Sequence, residues 1–173
     1  MIQASAVPRK GEIDIDPKYE ERLEDLLSQC RAHLPAVEED MIHRAFRLSY
    51  WAHRNDWRES GEKYVSHPLR VATIVARDIG LDDTSVAAAL LHDVVEDTEL
   101  SLELIEDEFG PTMSNIIDGL TKIEGVFSSQ KLGQAENVRK LMLSMATDLR
   151  VILVKFADRL HNMRTIEALP RKK

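Results

Sequence analysis

At 173 residues, with 43% hydrophobic and 31% charged residues, the chain is long enough to bury one core and too apolar to be a disordered segment. A net charge of −7 argues against a general nucleic-acid binder, which would be basic, yet admits an anionic small ligand wherever a cation reverses the field locally. The single cysteine, Cys30, excludes a disulfide framework and a thiolate metal cage; no apolar run approaches a membrane span and no secretory pattern follows Met1, so a cytoplasmic setting is expected.

Residues 1–16 show no sustained period, contain Pro and Gly, and read as a flexible N-terminal arm. Residues 18–30 place Tyr19, Leu23, Leu26 and Leu27 on one stripe, an amphipathic helix with Pro17 in its first turn and Cys30 as a surface or half-buried thiol. A second helix follows Pro35, with Val37, Met41, Ile42, Ala45, Phe46, Ser49 and Ala52 at steps of three and four, and stops near residues 53–55. Residues 55–67 are a polar connector. A helix then opens at Pro68 and runs to Ile79, with Gly80 just past its end.

Asp82, Asp83 or Thr84 caps the next helix, which carries LLHDVVEDTE at 90–99. Residues 101–109 form a short helix stopped by Gly110, and Pro111 starts another that reaches about Ile123. Residues 124–134 read as a loop and 135–146 as a helix with Val138, Leu141, Met142 and Met145 inward. The segment from 150 onward could open as a buried strand at VILVKF, but the lack of Gly or Pro across 134–169 favours helix. The expected fold class is all-α, a bundle of roughly eight helices.

Several polar residues sit poorly on a solvated surface. His92 shares a helical face with Glu96, and Asp93 shares one with Glu96 and Asp97, between Leu90, Leu91, Val94 and Val95. A solvated acidic helix end is the plain reading, but carboxylates near a helix C-terminus oppose the macrodipole and point to a compensating cation. Asp158, Asn162 and Thr165 repeat the pattern among Val154, Phe156, Ala157, Leu160 and Met163; alone, they would read as a surface stripe with Lys155 and Arg159. His67 alone would read as a capping or packing residue. Together, His67, His92, Asp93 and Asp158 supply two imidazoles and two carboxylates, a set without sulfur that suits manganese, iron, zinc or a magnesium-like ion.

The H…HD…D order resembles the HD superfamily of metal-dependent phosphohydrolases. The surrounding words, RESGEKYVSHP at 58–68, AALLHDVVEDT at 88–98, GLTKI at 119–123, QAENVRK at 134–140 and RVILVKFADRLHNMRT at 150–165, narrow the resemblance. They look like the N-terminal hydrolase domain of the RelA/SpoT homologue (Rel) family, across about residues 20–170. This implies an HD-domain helical bundle that removes the 3′-pyrophosphate of guanosine tetra- and pentaphosphate, with one manganese ion as cofactor. It implies His67, His92, Asp93 and Asp158 as metal ligands and Glu96 and Asp97 as the pair activating water. Arg58, Ser60, Asn162 and Thr165 fall on positions that bind the nucleotide.

The chemistry is consistent with those roles. A bound cation neutralises phosphate charge and leaves a nearby carboxylate to take the proton of the attacking water. A guanidinium at Arg58 suits phosphate or base stacking, and the amide and hydroxyl of Asn162 and Thr165 can read ribose and base edges without adding charge.

Two departures stand out: Glu59, where many members carry a second basic residue, and AHRND at 52–56, where hydrolases commonly read AHxGQ. His53 is not expected to be a ligand, His161 is expected to be structural, and His33 and His43 to face solvent. Residues 17–173 would form one hydrolase domain that ends close to where the family's connection to a synthetase domain begins. The expected partners are the guanine nucleotide alarmone and, in a longer parent chain, synthetase and regulatory domains. Ribosome contact would come only through regions absent here, with no nucleic-acid or membrane binding by this domain. Two other readings remain open: an HD phosphohydrolase of another nucleotide, and a non-catalytic nucleotide-binding regulatory module.

Overall fold

A computed structural model describes residues 13–128 and 148–165, the side chains of 124–128 excepted. Among the described residues the regular structure is all helical, apart from one isolated antiparallel bridge between Trp57 and Lys63. Helix α1 (Pro17–His33) begins as its sequence predicts, with Pro17 in the first turn and the Asp16 carboxylate accepting from the Lys18 amide. Its inner stripe of Tyr19, Leu23, Leu26 and Leu27 continues to Cys30, which is fully buried and not the surface or half-buried thiol expected. Cys30 follows Leu26 and Leu27 at helical spacing, and burial pushes its thiol up to about 11.

Helix α2 (Glu39–Ala52) buries Leu48 and Tyr50 as well as the expected Ile42, Ala45, Phe46 and Ser49. Helix α3 (Ser66–Thr73) opens two residues before Pro68, so His67 lies inside its first turn and not in the connector. It continues into a π-helical segment (Ile74–Ile79) that closes at Gly80, whose φ of 76° is the left-handed conformation glycine adopts without strain.

Helix α4 (Asp83–Leu91) forms the axis of the bundle. Asp82 caps it, accepting from the Ser85 amide and hydroxyl, and every residue from Ser85 to Leu91 is buried. A helix apolar all round belongs inside a protein, and α4 contacts α2, α3 and two later helices. The expected continuous helix through LLHDVVEDTE breaks at His92 and Asp93 and resumes as the short α5 (Val94–Asp97). The Ala89 carbonyl, which a continuing helix would offer to the amide of residue 93, accepts the His92 ring Nδ1–H at 2.8 Å.

Helix α6 (Leu102–Phe109) is capped by Ser101 and ends at Gly110. Helix α7 (Pro111–Ser128) runs five residues past the expected stop near Ile123, into the stretch expected to be loop. Helix α8 (Leu149–Thr165) resolves the VILVKF ambiguity in favour of helix. Helices α7 and α8 approach closely at Gly119, where an added Cβ would lie 2.9 Å from a Val151 methyl. The helix expected at 135–146 and the arm at 1–12 lie outside the described residues. Among the described residues no helix is long and apolar enough to cross a membrane.

Candidate functional site

Three elements converge at the C-terminal end of α4. Since α4 is the buried axis, its first residues beyond the last turn emerge inside the protein: His92 is buried and Asp93 half-buried. Helix α3 brings His67 and α8 brings Asp158, both buried. His67 Nε2 lies 3.3 Å from His92 Nε2, 3.6 Å from Asp93 Oδ2 and 3.2 Å from Asp158 Oδ1. His92 Nε2 lies 3.0 Å from Asp93 Oδ2 and 3.8 Å from Asp158 Oδ1. His67, His92 and Asp93 each offer an atom within 4.8 Å of the others, and Asp158 adds a fourth donor, an oxygen against both imidazoles.

The set fits a divalent cation. Neighbouring ligands held about 2.0–2.2 Å from one ion lie roughly 3 Å apart, close to the spacings seen. His92 donates its Nδ1–H to the Ala89 carbonyl, so Nε2 is the nitrogen turned toward the cluster. The electrostatics also call for positive charge. Burial would push the Asp93 carboxyl up, yet the His92 imidazole and the Tyr64 hydroxyl hold it well below the usual carboxylate range. Asp158 is held down the same way, by His67, His92 and Lys155 against the effect of its burial. For His92, burial works downward, but the carboxylates of Asp93 and Asp158 outweigh it and carry the ring up to about 10. Two buried anions thus draw a positive charge into the space between them.

Each of these groups is held from behind. Tyr64 donates its hydroxyl to Asp93 Oδ2 at 2.5 Å and lies 3.2 Å from Asp97 Oδ2, so one phenol ties the cluster to the acidic pair. Burial first, then Asp93, raises the phenol and keeps it protonated. Lys155, only 4% exposed, lies 3.2 Å from Asp158 Oδ2, and the Asn162 amide donates to Asp158 Oδ1 at 2.7 Å. The reading of this stretch as a surface stripe therefore does not hold: Asp158 and Lys155 form a buried pair. His161 places Nδ1 2.8 Å from His67 Nδ1.

A cavity of about 980 Å³ opens over the cluster. Arg58, Ser60, Glu96, Asp97, Asn162 and Thr165 line it together with His67, Asp93 and Asp158, while His92 is not in the lining but lies against His67. Glu96 and Asp97 are exposed on its wall, in the first turn of α5 and not at the end of a long helix. The Thr165 hydroxyl donates to the His161 and Asn162 carbonyls. The lining carries four basic side chains, Arg58, Arg70, Lys155 and Arg159, against six carboxylates.

Sequence reasoning missed Tyr64, Lys155, Arg70 and Trp57, the last 63% exposed at the cavity. The YVSHP word contained Tyr64, but only the fold turns it toward Asp93. His53 is buried away from the cluster: its Nδ1 lies 3.0 Å from Asp56 Oδ2, and its ring packs at a tilt on Tyr64, centroids 4.4 Å apart. Within AHRND, therefore, His53 and Asp56 brace the tyrosine. Glu59 is exposed and lines the cavity. His33 faces solvent and His43 is half-buried.

Comparison with known proteins adds three findings. The sequence pattern of the family described as HD domain matches residues 45–173. The chain is 46% identical over 158 residues to a probable guanosine-3′,5′-bis(diphosphate) 3′-pyrophosphohydrolase of Synechocystis, covering 87% of this chain and 21% of that protein. It is 44% identical over 158 residues to a GTP pyrophosphokinase of Streptomyces coelicolor, covering 90% of this chain and 18% of that protein. The chain thus spans about a fifth of the length of these relatives. Among solved structures, a metazoan ortholog of SpoT, described as hydrolysing ppGpp and acting in starvation responses, matches with a TM-score of 0.59 and 30% identity. That match covers 74% of this chain and 71% of the other.

Proposed function

The chain belongs to the HD domain family, in its RelA/SpoT homologue branch, and on that premise we propose that it hydrolyses the 3′-pyrophosphate of guanosine tetra- and pentaphosphate. The products are GDP or GTP and pyrophosphate. The observation that carries this reading is a two-histidine, two-carboxylate cluster with Glu96 and Asp97 beside it, at the floor of a cavity bearing four cationic side chains. The named hydrolase relative and the SpoT ortholog structure support the choice of substrate.

His67, His92, Asp93 and Asp158 would hold one manganese ion, which supplies Lewis-acid polarisation of the phosphate and a lowered pKa for water. The protein's own groups do the rest. Glu96 and Asp97, exposed on the cavity wall, accept the proton of the attacking water. Tyr64, donating its hydroxyl to Asp93 and lying 3.2 Å from Asp97 Oδ2, links Asp97 to the metal centre. Arg58, Arg70 and Arg159 meet phosphate oxygens through planar guanidiniums whose forked donors match that geometry. Ser60, Asn162 and Thr165 offer hydroxyl and amide contacts to the nucleoside, and the exposed face of Trp57 offers stacking to the base. In a longer parent chain, synthetase and regulatory domains would follow in sequence, in a cytoplasmic protein.

The test is direct. The protein incubated with guanosine tetraphosphate and manganese should release GDP and pyrophosphate in equal amounts, and Asp93→Ala should abolish both. Turnover of other nucleotides with the alarmone untouched would move the assignment to a different HD phosphohydrolase. Binding of alarmone without turnover would make the domain a regulatory module.

A further inference from the structure

His92 and His67 face the same space but are held by different means. The Nδ1–H of His92 goes to a backbone carbonyl, Ala89, which can only accept and leaves no ambiguity about the proton. His67 Nδ1 faces another imidazole nitrogen, His161 Nδ1, at 2.8 Å, with the two ring centroids 4.9 Å apart. A nitrogen pair at that distance shares one proton. If His161 donates it, His67 carries its own proton on Nε2 and has no lone pair for a cation. If His67 donates it, His67 Nε2 is bare and points at Asp158 Oδ1, His92 Nε2 and Asp93 Oδ2.

A second observation bears on His161. Its Nε2 is buried and has no hydrogen-bond partner among the described residues. An unsatisfied buried polar group costs about 1–3 kcal/mol, so packing alone is a poor reason to place a histidine there. Orienting another ring through Nδ1 is a better one. His161 is also three residues beyond Asp158 on α8, so both project from the same helical face. One rigid element then supplies a ligand oxygen and fixes the ring of a ligand contributed by another helix.

We propose that His161 is a positioning residue for the metal centre: it accepts the Nδ1–H of His67 and thereby sets that ring with Nε2 bare toward the other donors. The inference rests on the metal-centre reading above and is independent of which nucleotide is hydrolysed.

The experiment measures Mn²⁺ affinity by calorimetry on the full chain, with His161→Leu, His161→Asn and His67→Ala beside the parent. Outer-shell partners of metal ligands are typically worth about 10–100-fold in affinity, and His161→Leu should lose that much. His161→Asn, whose side-chain oxygen can sit near the position of Nδ1, should keep most of the affinity. Equal losses in the two would reduce His161 to packing and overturn the proposal, as would an unchanged affinity in His161→Leu when His67→Ala has lost binding. Unchanged affinity in His67→Ala would instead defeat the metal-centre reading beneath it. A measurement without substitution guards against misfolding: imidazole ¹⁵N–¹H correlation spectra of the protein loaded with diamagnetic Zn²⁺ should show His67 protonated on Nδ1 and His161 on Nε2. A proton on His67 Nε2 would overturn the proposal.

Discussion

Helices α4 and α8 both deliver residues of the proposed metal centre, but they are stabilised in opposite ways. Helix α4 is buried on all sides from Ser85 to Leu91 and releases His92 and Asp93 only where it breaks. Helix α8 presents two faces. Val151, Val154, Ala157, Asp158 and His161 turn inward, while Leu149, Phe156, Leu160 and Met163 stay exposed among the described residues. The α4 residues are placed by hydrophobic packing, those of α8 by a polar network through Lys155, Asn162 and His161. One site is thus assembled from a rigid end and a tunable side.

That contrast can be broken at graded strengths. Asp158→Ala removes the α8 ligand and should lower hydrolysis about a thousandfold or more, equivalent to several kcal/mol of charge stabilisation. Steady-state release of pyrophosphate measures it. Lys155→Met removes one of the positive groups against buried Asp158, and breaking such a pair costs up to about 3–5 kcal/mol. In urea unfolding the loss should be largest without metal and smaller with excess Mn²⁺, which supplies the missing charge. A loss below about 1 kcal/mol in both conditions would show that α8 does not depend on its polar network.

Leu91→Ala tests the other side. Truncating a fully buried leucine costs about 2–5 kcal/mol, and with α4 loosened Mn²⁺ affinity should fall too. Asp82→Ala should cost about 1 kcal/mol through loss of the α4 cap. It also breaks the 3.0 Å bridge from Asp82 to Arg150 at the start of α8. Burial works upward on this carboxyl, but the Ser85 hydroxyl and amide, then Arg150, hold it below the ordinary value. A depressed carboxyl stabilises the fold above its unfolded pKa near 3.9 and loses that contribution as pH falls through the folded value, so the gap between parent and variant should shrink in acid. Smallest of all, Met163→Gln, at a residue 69% exposed on the outer face of α8, should stay within about 0.5 kcal/mol of the parent.

Much of this architecture is legible in the sequence because it follows local rules. Pro17 and Gly80 mark real boundaries, and the stripe through Tyr19, Leu23, Leu26 and Leu27 faces the core as its spacing requires. The clustering residues His67, His92, Asp93 and Asp158 stand out because their chemistry is unusual among aliphatic neighbours. What stays hidden depends on partners distant in sequence. Nothing local reveals that Tyr64 meets Asp93, 29 residues on, or that His161 meets His67 across 94. The break after Leu91 is hidden too, since LLHDVVED holds neither Gly nor Pro and the interruption accompanies a side-chain bond to the Ala89 carbonyl. Cys30 misleads because a thiol at the end of an apolar stripe can fall on either side of the surface.

Placing His92 at the tip of the central helix ties chemistry to folding by mass action. The residues that would grip the ion come together only when the core does, so an ion held as proposed would bind the folded chain and find no matching site on the unfolded one. Bound at a hundred times its dissociation constant, such a ligand adds about 2.7 kcal/mol to stability. If the proposed metal centre is right, a chelator should lower the melting temperature of this domain, and the melting curve should report how full the centre is.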